Sequence, residues 1–268
     1  MIDSFQALVL AFIQGFTEFL PISSSGHLVI PSMLLGWPDQ GLAFDVAVHV
    51  GTLAAVLLYY RQDLIAIAAD FLRSPLAPRE ESQAFMVWYL ALATLPVVII
   101  GLLVNGLVEQ MARQLPVIAT TTLFFGLLLG YADRRSVGLG KVVVLRLRDA
   151  LIIGLAQALA LIPGVSRSGI TITAGLLLGL DRQSAARFSF LLSIPAISGA
   201  GLLKSYDLLQ AGAAIPYTQM FLGTVVSALV AYSCISVFLR LLDRVGMAPF
   251  VWYRVALGLG LYALWLVW

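Results

Sequence analysis

The chain has 268 residues, of which 60% are hydrophobic and only 11% are charged, and its mean hydropathy is +0.97. Soluble domains carry roughly a quarter charged residues, so this composition excludes the soluble globular class. The formal net charge of +2 comes without a basic patch that could hold nucleic acid, and the single cysteine, Cys234, excludes a disulfide framework. We therefore expect a polytopic membrane protein whose surroundings are membrane lipids.

Several uncharged runs, such as 85–104 and 217–239, reach the length of about 20 residues that a bilayer-crossing helix needs. Strand-like alternation is absent, so the pattern predicts an all-α helical bundle. In chain order the expected helices are 4–20, 24–36, 43–60, 85–106, 116–131, 146–162, 168–180, 184–204, 217–242 and 249–266. The first two, and the pair around 146–180, are too short or too interrupted by proline, glycine and serine to be ordinary spans.

Polar connectors are expected at 61–84, 132–149 and 240–248, and basic residues concentrate in them. Residues 1–60 contain no lysine or arginine. The basic residues of the first two connectors include Arg61, Arg73, Arg79, Arg134, Arg135, Lys141, Arg146 and Arg148. The opposite loops hold only Arg113 and Lys204. The positive-inside rule thus predicts cytoplasmic connectors and an N-terminus outside.

The polar residues of the first interrupted segment recur 143 positions later. The matched pairs are Gln14 and Gln157, Ser23 and Ser166, Ser25 and Ser168, and Gly26 and Gly169, with Pro21 and Pro163 one residue out of step. Together with the predicted topology, this echo indicates two inverted repeats with broken or re-entrant helices inside a single membrane domain, 1–268. Repeat one covers about 1–106, a linking helix and cytoplasmic loop about 107–148, and repeat two about 149–268. Such repeats usually place a polar site at their interface.

The stretch "PGVSRSGIT" (163–171) is typical of an anion site, because hydroxyls and an arginine stand just before a new helix. Free N–H groups at a helix N-terminus attract anions, and a guanidinium grips phosphate with two prongs. The candidate binding residues are Gly164, Ser166, Arg167, Ser168, Gly169 and Thr171. The alternative is a capped helix break whose arginine snorkels to the surface.

The stretch "GFTEFLPISSSGH" (15–27) follows Gln14 and contains Glu18 on the same helix face, then serines 23–25 and His27. A carboxylate inside a membrane is costly, which favours a functional role for Glu18. The serines could equally be helix caps and His27 a hydrogen-bonded core residue. If the repeats fold together, Glu18, His27 and a serine hydroxyl would face Arg167. That inventory suits phosphoryl transfer, which depends on positioning and charge neutralisation.

The sequence gives weaker functional predictions for the other polar residues. His49 lies four residues after Asp45, and we expect a buried hydrogen bond between them. Arg182 and Arg187 fit a solvated turn between helices, and Tyr253 fits an interfacial aromatic belt.

Both motifs, "QGFTEFLPISSSGH" (14–27) and "PGVSRSGIT" (163–171), resemble the signature motifs of the undecaprenyl-diphosphate phosphatase family, the bacitracin-resistance membrane phosphatases. The resemblance extends over the whole chain in length, hydropathy and motif placement. It implies hydrolysis of undecaprenyl diphosphate to undecaprenyl phosphate and inorganic phosphate, which recycles the lipid carrier of cell-wall synthesis. The residues that it implies as catalytic are Glu18, His27 and Arg167. Ser24 or an activated water would be the nucleophile. The matching positions for diphosphate binding are Gln14, Ser23, Ser166, Ser168 and Thr171.

The resemblance also implies a divalent cation, Mg²⁺ or Ca²⁺, for which Glu18 and Gln14 are the candidate ligands. Gln14 replaces the glutamate that the family motif also allows, and a neutral amide is a poorer cation ligand. The implied location is the bacterial inner membrane, with the site open toward the periplasm. The sequence leaves a homodimer open. It also leaves open a transporter or lipid flippase, because inverted repeats occur in carriers too. A lipid phosphatase of the acid-phosphatase-like class ranks last, since its long Lys/Arg-rich motif is missing.

Overall fold

The computed structural model describes residues 2–75, 83–111, 114–137, 145–211 and 216–267. Of the basic residues used for the topology prediction, Arg79, Arg113 and Lys141 lie outside these ranges. Within them the chain is helical and contains no strand, which confirms the all-α prediction. The helices are α1 Ser4–Thr17, α2 Ser24–Leu34, α3 Leu42–Tyr59, α4 Arg61–Arg73, α5 Phe85–Met111, α6 Leu115–Val137, α7 Leu147–Ala158, α8 Arg167–Leu177, α9 Arg182–Ala211, α10 Tyr217–Val245 and α11 Ala248–Val267.

In the described part of the chain, six helices are long and apolar enough to cross a bilayer: α3, α5, α6, α9, α10 and α11. Their outward faces carry large exposed apolar side chains, such as Leu103 on α5 and Phe221 on α10. In water such a surface would be unfavourable, but in lipid it is the expected exterior. The chain is therefore a multi-pass membrane protein.

The prediction that 61–84 is only a connector is wrong over its first half, where α4 forms. Ile67 is buried, and Leu64 and Phe71 lie on the same side of the helix at spacings of three and four. Phe71 makes an edge contact with Trp88 on α5, with ring centroids 5.7 Å apart. Of the charged residues that suggested a connector, Arg61 and Arg73 are exposed, whereas Asp63 and Asp70 flank the buried side and bond Arg187 and the backbone N–H of Gln83.

Two arginines near the start of α9, expected in a solvated turn, instead make ion pairs. Arg182 donates from Nε and Nη2 to the two carboxylate oxygens of Asp133, at 2.6 and 2.9 Å. Arg187 Nε lies 2.7 Å from the Asp63 carboxylate on α4. These bonds tie α9 to α6 and to α4 at one end of the bundle.

The short helices come in two pairs, α1 with α2 and α7 with α8, and each pair surrounds a break. A 3₁₀ turn, Leu159–Leu161, extends α7 into the second break. Helix α1 packs against α10, and α7 packs against α5; α3 contacts both α10 and α9, and α9 contacts α5. This reciprocal pattern is what the predicted repeat requires, and the repeat and its boundaries stay a prediction.

Glycines allow these short helices to approach their neighbours closely. A methyl group at Gly15 of α1 would lie 2.6 Å from the carbonyl oxygen of Ser227 on α10. At Gly154 of α7 it would lie 2.5 Å from the carbonyl oxygen of Ala93 on α5. Small residues at such crossings permit the backbone approach on which membrane helix packing depends.

We predict that Gly154→Ala forces α7 away from α5 and lowers the stability of the protein by about 1–3 kcal/mol. The measurement is thermal unfolding of the purified protein in detergent. Gly260→Ala on α11 is the matched control, because no atom lies within 4 Å of the added methyl group. Equal melting temperatures for the two variants would contradict this view of the α5–α7 crossing.

Candidate active site

The two breaks end in serines with the same unusual backbone. Ser23 has φ 74° and Ser166 has φ 72°, and among the described residues these are the only non-glycine positions with positive φ. Each serine hydroxyl lies 3.2 Å from that of the serine two residues later, Ser25 or Ser168. Left-handed backbone at non-glycine residues is uncommon and concentrates at functional sites. The two turns are therefore candidates for a shared site.

The two turns touch each other directly. Ser168 Oγ donates to the Leu20 carbonyl oxygen at 2.8 Å, and Arg167 Nη2 donates to Glu18 Oε1 at 3.0 Å. These contacts join residues that are nearly 150 positions apart, so the fold brings the two motifs into a single cluster.

Glu18 is the centre of this cluster and is buried. Its Oε2 accepts hydrogen bonds from Ser24 Oγ at 2.7 Å and from Gln14 Nε2 at 2.9 Å, while Oε1 accepts from Arg167. Gln14 precedes Glu18 by one helical turn, which places both side chains on the same face. The carboxylate thus contacts a cation on one oxygen and a hydroxyl on the other.

The Arg167 guanidinium also makes contacts on the side away from Glu18. Nη1 donates to the Ser189 carbonyl oxygen at 3.1 Å, and the guanidinium carbon lies 5.9 Å from the centroid of the Phe19 ring. Contact with an aromatic face is favourable for a guanidinium. These contacts fix the plane of the guanidinium while part of it remains exposed to the cavity beside it.

A cavity of about 550 Å³ opens over the cluster. Its polar floor contains Glu18, Ser23, Ser24, Ser25, Ser166 and Arg167. A second polar group lines the cavity with Asp39, Gln40, Asp45, His49 and Lys204. The apolar wall is formed by residues of α5, the 3₁₀ turn and α9, including Val97, Leu161, Ala196, Ile197 and Ala200. The cavity therefore combines a floor that carries a guanidinium, a carboxylate and several hydroxyls with an apolar wall.

His49 is a cavity residue that the sequence reasoning did not assign to the site. Its Nδ1 contacts the Asp45 backbone carbonyl at 2.7 Å, whereas the Asp45 carboxylate accepts from Gln40. The expected hydrogen bond between His49 and Asp45 therefore forms with the main chain. His49 Nε2 lies 3.9 Å from Glu18 Oε2, so the imidazole is a second neighbour of the buried carboxylate. The signal available in the sequence was only the i, i+4 spacing to Asp45.

His27 does not line the cavity, contrary to the expectation that it would face Arg167. Its Nδ1 contacts the Ser23 carbonyl oxygen at 2.7 Å, and its Nε2 contacts the Tyr253 hydroxyl at 2.6 Å. The two rings are stacked, with centroids 5.6 Å apart. His27, on α2, thus links the Ser23 turn to α11, which is the structural role that the sequence reasoning held as its alternative. Tyr253, expected in an interfacial belt, is its partner.

Comparison with known proteins identifies the family of this chain. Residues 7–260 match the family described as bacitracin resistance protein BacA. The chain belongs to this family. It is 53% identical to the undecaprenyl-diphosphatase of Alteromonas mediterranea, with 98% of each chain aligned. It is 56% identical to that of Alcanivorax borkumensis over 97% of this chain and 98% of the relative. The undecaprenyl-diphosphatase 1 of Pseudoalteromonas translucida is 52% identical over 96% of both chains. The resemblance inferred from the two motifs is confirmed.

In this BacA-family protein the second motif divides into cavity residues and packing residues. Ser166 and Arg167 line the cavity, while Ser168, Gly169 and Thr171 are buried outside it. Thr171 Oγ1 donates to the Arg167 carbonyl oxygen at 2.8 Å and lies 2.7 Å from the hydroxyl of Ser189. These contacts position Arg167 from the side away from the cavity.

Gly164, the other glycine of the motif, has φ +88° and faces the threonines of α6. A side chain there would be strained by the backbone and would collide with Thr121. The structure accordingly gives this glycine a packing role beneath the cavity.

The residues around Glu18 offer oxygen atoms that could bind a cation. Among the described residues, the buried side-chain polar atoms without a hydrogen-bond partner are the carbonyl oxygens of Gln14 and Gln157, the pair that the predicted repeat matches. Gln14 contacts Glu18 through its amide nitrogen and does not line the cavity, so its free oxygen is a further oxygen donor near Glu18 and Ser24. Carboxylate, amide and hydroxyl oxygens suit Mg²⁺ and Ca²⁺, which take their remaining ligands from phosphate and water. In the described part of the chain, no group of three or more histidine, cysteine or acidic side chains is placed to hold a metal ion.

We predict that Ser168→Ala lowers the stability of the protein by about 1–2 kcal/mol and leaves KM unchanged, because its hydroxyl joins the two turns from below the cavity. Thermal unfolding in detergent and steady-state phosphate release measure the two effects. Ser233→Ala removes an exposed hydroxyl that bonds only within its own helix, and serves as the control. A raised KM at unchanged stability would mean that Ser168 binds the diphosphate.

Proposed function

We propose that this chain is an undecaprenyl-diphosphatase, which hydrolyses undecaprenyl diphosphate to undecaprenyl phosphate and inorganic phosphate. The observation that carries the proposal is the contact of one buried carboxylate, Glu18, with both the Ser24 hydroxyl and the Arg167 guanidinium on the floor of a partly apolar cavity. The names of its relatives agree. A carrier for an anionic lipid would need the arginine, but it would not need a hydroxyl bonded to a carboxylate.

The geometry favours Ser24 as the nucleophile and Glu18 as its base. The Ser24 hydroxyl already donates to Glu18 Oε2 at 2.7 Å, the contact through which a proton would move. As Ser24 Oγ forms its bond to the terminal phosphorus, the bond between this phosphorus and the bridging oxygen breaks, and undecaprenyl phosphate leaves. Water then cleaves the phosphoserine, releases inorganic phosphate and restores the hydroxyl. An activated water attacking directly would use the same carboxylate.

Arg167 would neutralise the phosphoryl oxygens during this transfer. The guanidinium contacts Glu18 on one side, and a bound diphosphate would offer it a second anion on the cavity side. The first turn of α2 adds further donors, because no side chain caps its N-terminus within the described residues. Its N–H groups are therefore available to phosphate, as at other helix N-termini. The start of α8 is capped by Ser166, which accepts from Gly169 N at 3.1 Å.

His27 would act by supporting the Ser23 turn next to Ser24, since both of its ring nitrogens are engaged away from the cavity. This makes Glu18 a better candidate than His27 for the base. A divalent cation, Mg²⁺ or Ca²⁺, held by Glu18 and the Gln14 oxygen, would supply charge neutralisation for the phosphate oxygens and would orient them.

The lipid chain of the substrate would lie along the apolar wall between α5 and α9. Small residues there, Ala196, Ala200 and Gly201, leave room for a branched hydrocarbon next to the polar floor. Such a substrate reaches the cavity from the bilayer, and only phosphate needs an aqueous exit. The family resemblance implies an inner-membrane protein with its cavity open to the periplasm, and the loop charges support an N-terminus on that side.

We predict that Arg167→Ala reduces phosphate release by about a thousandfold or more, since it removes the main charge-neutralising group of the transfer. The measurement is phosphate release from a polyprenyl diphosphate by purified protein in detergent, with wild type alongside. Arg148→Ala, which removes an exposed arginine near the start of α7, should leave the rate unchanged. Phosphate release at the wild-type rate by folded Arg167→Ala would contradict the proposal, and so would an inactive wild type.

We also predict that Glu18→Gln costs about a hundredfold or more in kcat, because it removes the base and the anionic partner of Arg167 without changing shape. Gln14→Ala, which removes one of the bonds to the same carboxylate, should cost far less, about tenfold at most. The same assay compares the two variants over a series of Mg²⁺ concentrations. Equal losses would show that Gln14 and Glu18 share one role.

A further inference from the structure

Arg254, on α11, is completely buried although its helix otherwise has large exposed faces. Neither the sequence motifs nor the family resemblance points to it. Among the described residues no carboxylate lies within ion-pair distance of its guanidinium. A buried charge without an anionic partner is costly, so its surroundings must compensate it in another way.

The compensation comes from backbone carbonyl groups. Arg254 Nη1 donates to Pro21 O at 3.2 Å and to Val165 O at 3.0 Å. Nη2 donates to Gly164 O at 3.0 Å, and Nε donates to Thr122 O at 3.0 Å. A longer bond of 3.4 Å joins Nη2 to the carbonyl oxygen of the residue before Thr122. These acceptors belong to the first break, the second break and α6.

A guanidinium has five N–H groups, and here each has one carbonyl acceptor. The carbonyl dipoles point toward a common centre, so without a cation they would repel one another. A lysine in the same place would offer only three donors, and a neutral side chain fewer or none. Arginine is therefore the side chain that can hold all of these backbone segments together at once.

The bonded carbonyls lie close in sequence to the reacting groups. Pro21 stands between Glu18 and Ser24, and Val165 is two residues before Arg167. Arg254 itself does not line the cavity. A change in its position would therefore move both turns without removing a contact to substrate.

We propose that Arg254 is a positioning residue, which sets the separation of the two turns and so places the Ser24–Glu18 pair against Arg167. The inference rests on the proposed function where it predicts an effect on kcat. Where it predicts an effect on the structure of the two turns, it rests only on the hydrogen bonds of Arg254. Displacing reacting groups by about 1 Å can cost on the order of a hundredfold in rate, so a role in positioning should affect kcat.

A glycine on α6 gives a second way to move Arg254. A methyl group at Gly126 would lie 2.8 Å from Arg254 Cβ and 3.2 Å from its Nε, so α11 must shift to accept it. Gly130 lies one turn further along α6. A methyl group there would lie 3.2 Å from the side chain of Val251, which, like Arg254, is on α11. Ala substitutions at Gly126 and Gly130 therefore add the same atom to the same interface, but only the first displaces Arg254.

The test compares Arg254→Lys with Arg182→Lys, in which the changed arginine is the partly buried ion-pair partner of Asp133 at the start of α9, and it compares Gly126→Ala with Gly130→Ala. We expect kcat for release of phosphate from a polyprenyl diphosphate to fall about tenfold or more in Arg254→Lys and Gly126→Ala, with KM within about twofold. The controls should stay within about twofold in both. Gly126→Ala keeps the comparison decisive if Arg254→Lys fails to fold.

Hydrogen–deuterium exchange provides a readout that does not depend on turnover. Amides in segments 19–25 and 163–169 should exchange about tenfold faster in Arg254→Lys and Gly126→Ala than in wild type, and at the wild-type rate in the controls. Unchanged exchange in these segments, or a kcat within twofold of wild type in folded Gly126→Ala, would overturn the positioning role. An inactive wild type with faster exchange in the two variants would overturn the proposed function and leave the positioning of the turns supported.

Discussion

Helices that break inside a bilayer expose carbonyl and N–H groups where water is scarce, and each unsatisfied group costs several kcal/mol. The breaks between α1 and α2 and between α7 and α8 create this demand twice. Arg254 satisfies several of the carbonyls, Ser168 bonds Leu20 O, and Thr121 Oγ1 donates to Pro163 O at 2.6 Å. The polar atoms that stabilise the breaks lie on their buried side, which leaves the opposite side free.

That free side is the floor of the cavity. Because the carbonyl ends of the breaks are bonded from below, the start of α2 and the guanidinium of Arg167 can face the cavity. Helix N-termini and guanidinium groups both favour anions, so the same irregular backbone that is costly in lipid becomes a candidate site for phosphate. Positive φ at Ser23 and Ser166 is part of this arrangement, since it turns the chain sharply from one helix into the next.

Much of the fold and the centre of the site could be predicted from local patterns. Uncharged runs located the long helices, and the i, i+4 spacing of Gln14 and Glu18 and the echoed serines located the two turns. Helix α4 was missed because its charges outweighed its apolar face. Arg254 and the orientation of His27 were missed because they depend on contacts that are distant in sequence. The carbonyl partners of Arg254 lie 89 to 233 positions away, and Tyr253 lies 226 positions from His27. Local periodicity carries no information about such contacts.

The corresponding positions of the predicted repeat differ where the chemistry needs them to. Ser24 is the first residue of α2 and Arg167 is the first residue of α8, and the two lie 143 positions apart, like the matched serines. Both side chains bond the same carboxylate, Ser24 at Oε2 and Arg167 at Oε1. In the proposed reaction, two serines would leave the phosphate charge uncompensated, and two arginines would provide no nucleophile. Equivalent backbone turns can therefore supply different groups to one substrate. The two carboxylate oxygens of Glu18 connect those groups, because each oxygen bonds one of them.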